Sequence, residues 1–299
     1  MTSKTIPSDF VTRFLFDDLD IRGAFVRLND VWRKMQSGRD YADVVRDLLG
    51  EMTAVTVLIG CNLKQPSRLG FQLKGHGPVQ LLVIDCTEEL KIRGMAQAVE
   101  GVQERASEEG VKVGAQTLFG DGHLSLVLQN ESATEPYQSI VPIVGESIAE
   151  IFEYYLAQSE QLSARLWLFA NGDSAAGLFI QKLPNADEKD ADGWARVEYL
   201  ASTIKAHEMH TLSPEKLLSR LFPEETLRLY PPRPVEYECP ENRDKVVSML
   251  RSLGREEVET AIREQEVLIV RDDICNHEYT FDASDLDELF PAEAPPTLH

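Results

Sequence analysis

Long apolar runs are missing from this sequence. No stretch of roughly 18 consecutive apolar residues occurs, so no membrane-spanning helix is expected. The opening MTSKTIPSDFV lacks the apolar centre of a secretory signal. Positive charge is also scarce: 30 basic residues stand against 50 acidic ones, a formal net charge of −20. With no local basic cluster to offset it, that excess sets the chain against phosphate backbones and anionic lipid surfaces. Neither nucleic acid nor membrane is an expected partner. Cysteine is sparse: Cys61, Cys86, Cys239 and Cys275 are widely spaced in 299 residues. That argues against a dense secreted disulfide framework and for free or metal-bound thiols in a cytoplasmic protein.

Catalytic constellations are missing as well. The histidines, His76, His123, His207, His210, His277 and His299, are scattered. His207 and His210 are separated by two residues, so they do not make the HExxH of a zinc protease, and they read as exposed helix residues. Gly75-His76-Gly77 lacks the Lys-Ser/Thr of a phosphate loop, and Pro78 marks a turn instead. Ser147 follows a Gly-Glu pair but is not in a GxSxG elbow. The expectation is a binding protein, not an enzyme.

What is present is a core-forming sequence, 43% hydrophobic, long enough for more than one domain. Residues 137–168 organise it. A β-rich run, Ile140 to Val144, ends at Gly145. Ser147, with Glu150 three residues on, has capping-box spacing. Ile148, Ile151, Phe152, Tyr155 and Leu156 then recur at helical intervals. A linker over 158–162 leads to a strand over 164–169, a pattern that lays a helix across a sheet.

Around this stretch, strands are expected over 10–19 and 24–28. A helix capped by Asn29 or Asp30 runs towards Gly38, and a second, over 41–63, carries Cys61 as a small core residue. Leu69, Phe71 and Leu73 alternate in a first strand, 79–85 is a nearly all-apolar strand as expected of one covered on both faces, and a third over 91–96 completes a meander with Cys86 at its edge. Gly120-Asp121-Gly122 predicts a hairpin joining two strands within 110–130. Asn171-Gly172-Asp173 turns into a last core strand over 175–182, and a Pro/Gly/Asp-rich stretch, 184–194, marks a boundary. Helical periodicity resumes with Trp194, Val197, Leu200, Ile204, Leu217, Leu218, Leu221 and Phe222, with Ser213-Pro214 as a helix start. LYPPRP, 229–234, makes an extended hinge. Two short helices parted by Gly254, a strand pair over 267–270 and 279–281, and a helix over 284–290 follow.

The segments YQSIVPIVGESIAEIFEYYLAQSEQL, RLGFQLKGHGPVQLLVID, AAGLFIQKLP and LFPEETLRLYPPRPVEYEC closely resemble the Hsp33 family of bacterial chaperones, in order and spacing, over residues 10–290. The resemblance implies an α+β fold with a large twisted, mainly antiparallel sheet packed with helices. It implies a core over 1–185, a helical linker over 186–234 and a small zinc-module-like α/β domain over 235–290; the tail over 291–299, with three prolines and no periodicity, is expected to be disordered. By the same resemblance the chain is an ATP-independent holdase for unfolding clients. The resemblance also implies that the linker, with Trp194 to Phe222, covers the sheet of the core and contributes to client capture once released, and that activation promotes a homodimer.

One part departs from the family. Its zinc module carries CxC and then CxxC; here Cys239-Pro240-Glu241 and Asp272-Asp273-Ile274-Cys275 stand in their places. Cys239, Cys275, Glu241 and Asp272, with His277 nearby, could form a mixed Zn²⁺ site, weaker than four thiolates, or the module could fold without metal. The family's neighbouring disulfides cannot form. A single Cys239–Cys275 bond would staple the module rather than melt it. A holdase with a weakened or lost redox switch is therefore expected, constitutive or heat-activated. A non-chaperone interaction protein on the same scaffold is the alternative.

Overall fold

A computed structural model describes residues 7–63, 68–103, 114–130 and 135–291. Residues 292–299 of the expected tail lie outside them. The architecture is α+β, and two compact units divide at Glu238/Cys239.

The first unit is built on two six-stranded sheets. One orders β10 (Leu227–Leu229), β1 (Phe10–Phe16), β2 (Ile21–Leu28), β9 (Ala175–Lys182) and β8 (Ala164–Ala170), with β11 (Arg233–Pro234) also pairing β1. The other orders β12 (Glu236–Tyr237), β5 (Lys91–Ala98), β4 (Val79–Thr87), β3 (Arg68–Gly75), β6 (Gly122–Gln129) and β7 (Tyr137–Pro142). The β12–β5 pair is parallel; the other ladders described are antiparallel. The extended 229–234 hinge thus lies along β1.

Between the sheets runs α2 (Asp43–Gly60), touching β2, β8 and β9 of one and β3, β4 and β5 of the other. Its second half is buried on every side from Met52 to Ile59, as a helix between two apolar layers must be. Thr53 and Thr56 satisfy their buried hydroxyls on the carbonyls of Leu49 and Met52, at 2.7 and 2.8 Å. The organising helix, α4 (Ile148–Glu160), joins the same core, with Phe152 edge-on to Phe71 at 4.8 Å between ring centroids. Its start is as read: the Ser147 hydroxyl accepts from the Glu150 N–H, and Glu150 reaches back to the Glu146 N–H at 2.7 Å. Its end runs further than expected, through the 158–160 part of the linker. Cys61 and Cys86 are both buried in this core.

Strand alternation sends the first sheet's side chains into two separate cores. Val11, Ala24, Val26, Leu28, Leu166, Leu168, Ala175 and Phe179 face α2. Phe10, Phe14, Phe16, Ile21, Phe25, Ala176, Leu178 and Ile180 face the other way. An apolar sheet face cannot be left to water, and four short helices cover it: α5 (Ala186–Lys189), α6 (Gly193–Ala201), α7 (Ala206–Thr211) and α8 (Pro214–Leu221).

Three local expectations are corrected. Residues 115–119 are a helix, α3 (Ala115–Phe119), not a strand leading into a hairpin; residues 110–113 of that expectation lie outside the described residues. The Gly77 N–H donates to the Phe119 carbonyl at 2.8 Å, and a Cβ on Gly75 or Gly77 would collide with the Phe119 or Leu118 carbonyl, so the glycines serve this close approach. Helix α1 (Asp30–Gln36) is not capped by the Asn29 side chain. The buried Asp9 carboxylate does so, accepting from the Asn29 and Val31 N–H groups at 2.6 and 2.9 Å. The turn into β2 falls at Asp20, whose φ is +49°, so Ile21 already belongs to the strand.

The second unit, Cys239–His299, has its own small core. Helices α9 (Arg243–Leu253) and α10 (Arg255–Gln265) pack Val246, Leu250, Val258 and Ile262 against Tyr279 and Phe281 of the hairpin β13 (Leu268–Arg271)–β14 (Glu278–Phe281), with Leu289 of α11 (Leu286–Leu289). The Arg243 guanidinium lies over the Phe281 ring at 4.5 Å.

Candidate functional site

The eight linker residues singled out by periodicity converge on one apolar cluster. Val197, Ile204, Leu217, Leu218, Leu221 and Phe222 are buried in it, and Trp194 and Leu200 pack at its margin. Opposite them stand Phe10, Phe14, Phe16 and Phe25. The Phe222 and Phe16 rings meet edge to face, centroids 5.0 Å apart. Ser213 caps α8 on the Lys216 N–H, with Pro214 in the first turn. The sequence expresses this segment as an amphipathic cover, and the structure lays its apolar side on a phenylalanine-rich sheet face.

Polar fastenings run from core to cover. Arg27 of β2 donates through Nε to the Met209 carbonyl at 2.8 Å and through Nη2 to the Leu212 carbonyl. These are carbonyls at the end of α7, where a helix leaves its last acceptors free and its dipole attracts a cation. The guanidinium also lies 5.7 and 5.5 Å from the Phe10 and Phe25 ring centroids. Burial lowers the Arg27 pKa from its ordinary value. Beside it, His210 is half-buried, its Nδ1 2.8 Å from the Ser174 hydroxyl; burial first, and the Arg27 charge second, lower its pKa. The exposed-histidine expectation therefore fails for His210. Ion pairs Arg165–Glu198, at 2.5 Å, and Lys189–Asp20, at 2.7 Å, add to the fastening, each worth little where solvent reaches it. Arg27 and Ser174 were not singled out from sequence: their partners lie 182 and 36 residues away, beyond any local pattern.

The second place is the knuckle of the C-terminal unit. Cys239 and Cys275, 36 residues apart, are joined as a disulfide with Cα atoms 5.6 Å apart. The other residues expected there have different work. Asp272 caps the turn: its Oδ1 accepts from the Ile274 and Cys275 N–H groups at 2.9 and 3.0 Å. Its own N–H donates to the His277 carbonyl, and its carbonyl accepts from Asn276, whose φ of +60° completes the turn. His277 Nε2 lies 2.8 Å from the Cys239 carbonyl. The Glu241 side chain is 76% exposed and 4.0 Å from His277 Nδ1.

This donor set does not fit zinc. In the disulfide form neither sulfur is a thiolate, Oδ1 of Asp272 is taken by backbone N–H groups, and Nε2 of His277 faces a carbonyl. Among the described residues no three His, Cys, Asp or Glu side chains converge as a metal site would require. Also among them, no helix is long and apolar enough to cross a membrane.

A sheet core under a helical cover, with a separate unit closed by a cysteine knuckle, defines the class of the Hsp33 fold. The family described as Hsp33 protein matches residues 9–282. The 33 kDa chaperonin of Methylobacillus flagellatus is 38% identical over 288 residues, 96% of each chain. That of Nitrosococcus oceani is 38% identical over 282 residues, 94% of each. The crystal structure of the 33 kDa chaperonin (heat shock protein 33 homolog) from Thermotoga maritima superposes with a TM-score of 0.79 over 95% of this chain and 98% of that one, at 23% identity. That last likeness is one of fold. The chain belongs to the Hsp33 family, and membership supports a chaperone function.

Proposed function

We propose that the protein is an ATP-independent holdase that binds unfolding polypeptides at the phenylalanine face of its first sheet, and that residues 186–222 are the cover that keeps this face closed at rest. The observation that carries the reading is the packing of Val197, Ile204, Leu217, Leu218, Leu221 and Phe222 on Phe10, Phe14, Phe16 and Phe25. A broad apolar surface that can be uncovered is what capture of unrelated clients needs. The cover is made of short helices with few residues each, elements that are marginal apart from their packing. The net charge of −20 keeps such a protein soluble with a sticky client attached.

This is a cytoplasmic binding protein without enzymatic chemistry, and its partners are unfolded proteins and, once uncovered, a second copy of itself. In place of the family's zinc and paired disulfides it has one cross-knuckle bond, so control by zinc ejection is lost. The test is suppression of light scattering from several unrelated, chemically unfolded clients without ATP. Tight binding to one native partner, with no effect on aggregation, would instead favour an interaction protein on the same scaffold.

A further inference from the structure

We infer that the Cys239–Cys275 disulfide takes the place of a metal as the cross-link of the C-terminal unit, so that reduction, not oxidation, loosens this unit. Only the consequence for client capture rests on the holdase reading; the redox chemistry belongs to the unit itself.

The unit's own core is small: Val246, Leu250, Val258, Ile262, Tyr279, Phe281 and Leu289 are its buried apolar side chains. A domain of this size is marginal without a staple. The staple joins the segment leading into α9 to the turn between β13 and β14, enclosing both helices and strand β13. It therefore restricts the unfolded chain over 36 residues of sequence separation.

Both halves of the knuckle are positioned without help from a metal. Asp272 holds the Cys275 N–H from one side, and His277 holds the Cys239 carbonyl from the other. The two thiols of the reduced form are thus kept near each other, which favours closure of the intramolecular bond over reaction with a foreign thiol. With hydrogen peroxide the two thiols give up two electrons and two protons, forming the S–S bond and two waters. With a dithiol reductant such as dithiothreitol, exchange runs through a mixed disulfide; the reductant leaves as its cyclic disulfide and its two protons end on Cys239 and Cys275. By the loop-closure relation, losing this cross-link should raise the open population of the unit by roughly 10²–10³-fold.

The experiment uses the full chain, produced in zinc-supplemented medium. After peroxide treatment, alkylation in denaturant should label Cys61 and Cys86 but spare Cys239 and Cys275 until dithiothreitol is added. Zinc bound by the reduced chain, measured by elemental analysis after desalting, should fall well below one equivalent. Hydrogen exchange of α9, α10, β13 and β14 should accelerate by roughly 10²–10³-fold with dithiothreitol and not change with chelator. The paired variant Cys239→Ser with Cys275→Ser should match the reduced chain; if it fails to fold, the wild-type exchange comparison still decides. One zinc per reduced chain, with protection lost to chelator, would overturn the inference, as would exchange indifferent to dithiothreitol. Opening by dithiothreitol with no client protected in any state would remove the holdase reading alone. Client protection with exchange unmoved by dithiothreitol would remove this inference alone.

Discussion

Phe222→Ala tests whether the helical cover sits over a binding face. Phe222 is 1% exposed and meets Phe16 edge to face at 5.0 Å. Truncating a buried phenylalanine costs about 3–5 kcal/mol, including the cavity left behind. The loss falls on docking of the cover, because the ring's partners lie across that interface. At about 1.4 kcal/mol per decade, the uncovered population rises by roughly two to three and a half decades. Phe152→Ala is the control: Phe152 is equally buried, packs edge-on with Phe71, and belongs to the other core. It costs a similar amount of global stability without touching the cover. The assay is light scattering of a chemically unfolded client at a temperature where both variants stay folded by circular dichroism. Phe222→Ala should protect at rest where the wild type and Phe152→Ala protect less. Equal protection by the two variants would refute the reasoning, since exposure would then follow general destabilisation rather than release of the cover.

Arg27→Met should loosen α7 by about 1–3 kcal/mol, because the Met209 and Leu212 carbonyls lose their donor; faster hydrogen exchange in Ala206–Thr211, and not in α4, is the readout. Acid should loosen the same contact. His210 has its folded pKa lowered, by burial and then by Arg27, so its share of docking is complete above the unfolded value of about 6.5 and is lost as pH falls from there through the folded pKa. Exchange at α7 should rise on acidification and flatten in His210→Gln, whereas an unchanged profile in the variant would remove His210 from the account. Cys61 and Cys86, their pKa values pushed up to about 12 chiefly by burial, should resist maleimide in the native chain and react at once in denaturant.

Much of this molecule is written in local pattern. The Ser147 cap, the α4 stripe, the β3–β5 meander and the two helices around Gly254 depend on neighbours a few residues apart, and each is where the spacing places it. The apolar residues of the cover were legible for the same reason, although what they pack against was not: the alternation of β1 marks two faces without saying which layer meets each. Other features are set by distant partners. Asp9 takes the cap that Asn29 would have held, Arg27 reaches carbonyls of α7, and His210 is drawn in by Ser174. The helix at Ala115–Phe119 forms where a hairpin arm was expected because Gly75 and Gly77 leave its end room to approach. At the knuckle, the family resemblance grouped Cys239, Glu241, Asp272, Cys275 and His277, but did not give their roles. Asp272 stands where a family thiolate would, yet its oxygen turns inward to cap the loop. Side-chain direction, rather than proximity, separates a ligand from a cap.

The most direct measurement is client aggregation, followed by light scattering without ATP, on the fully reduced chain in the presence of chelator and again after peroxide. Protection already present in the reduced, chelated chain, extending to several unrelated clients, is the expected result. Protection that appears only after peroxide and vanishes on thiol reduction would contradict it, because oxidation would then be opening a unit that the Cys239–Cys275 bond should close.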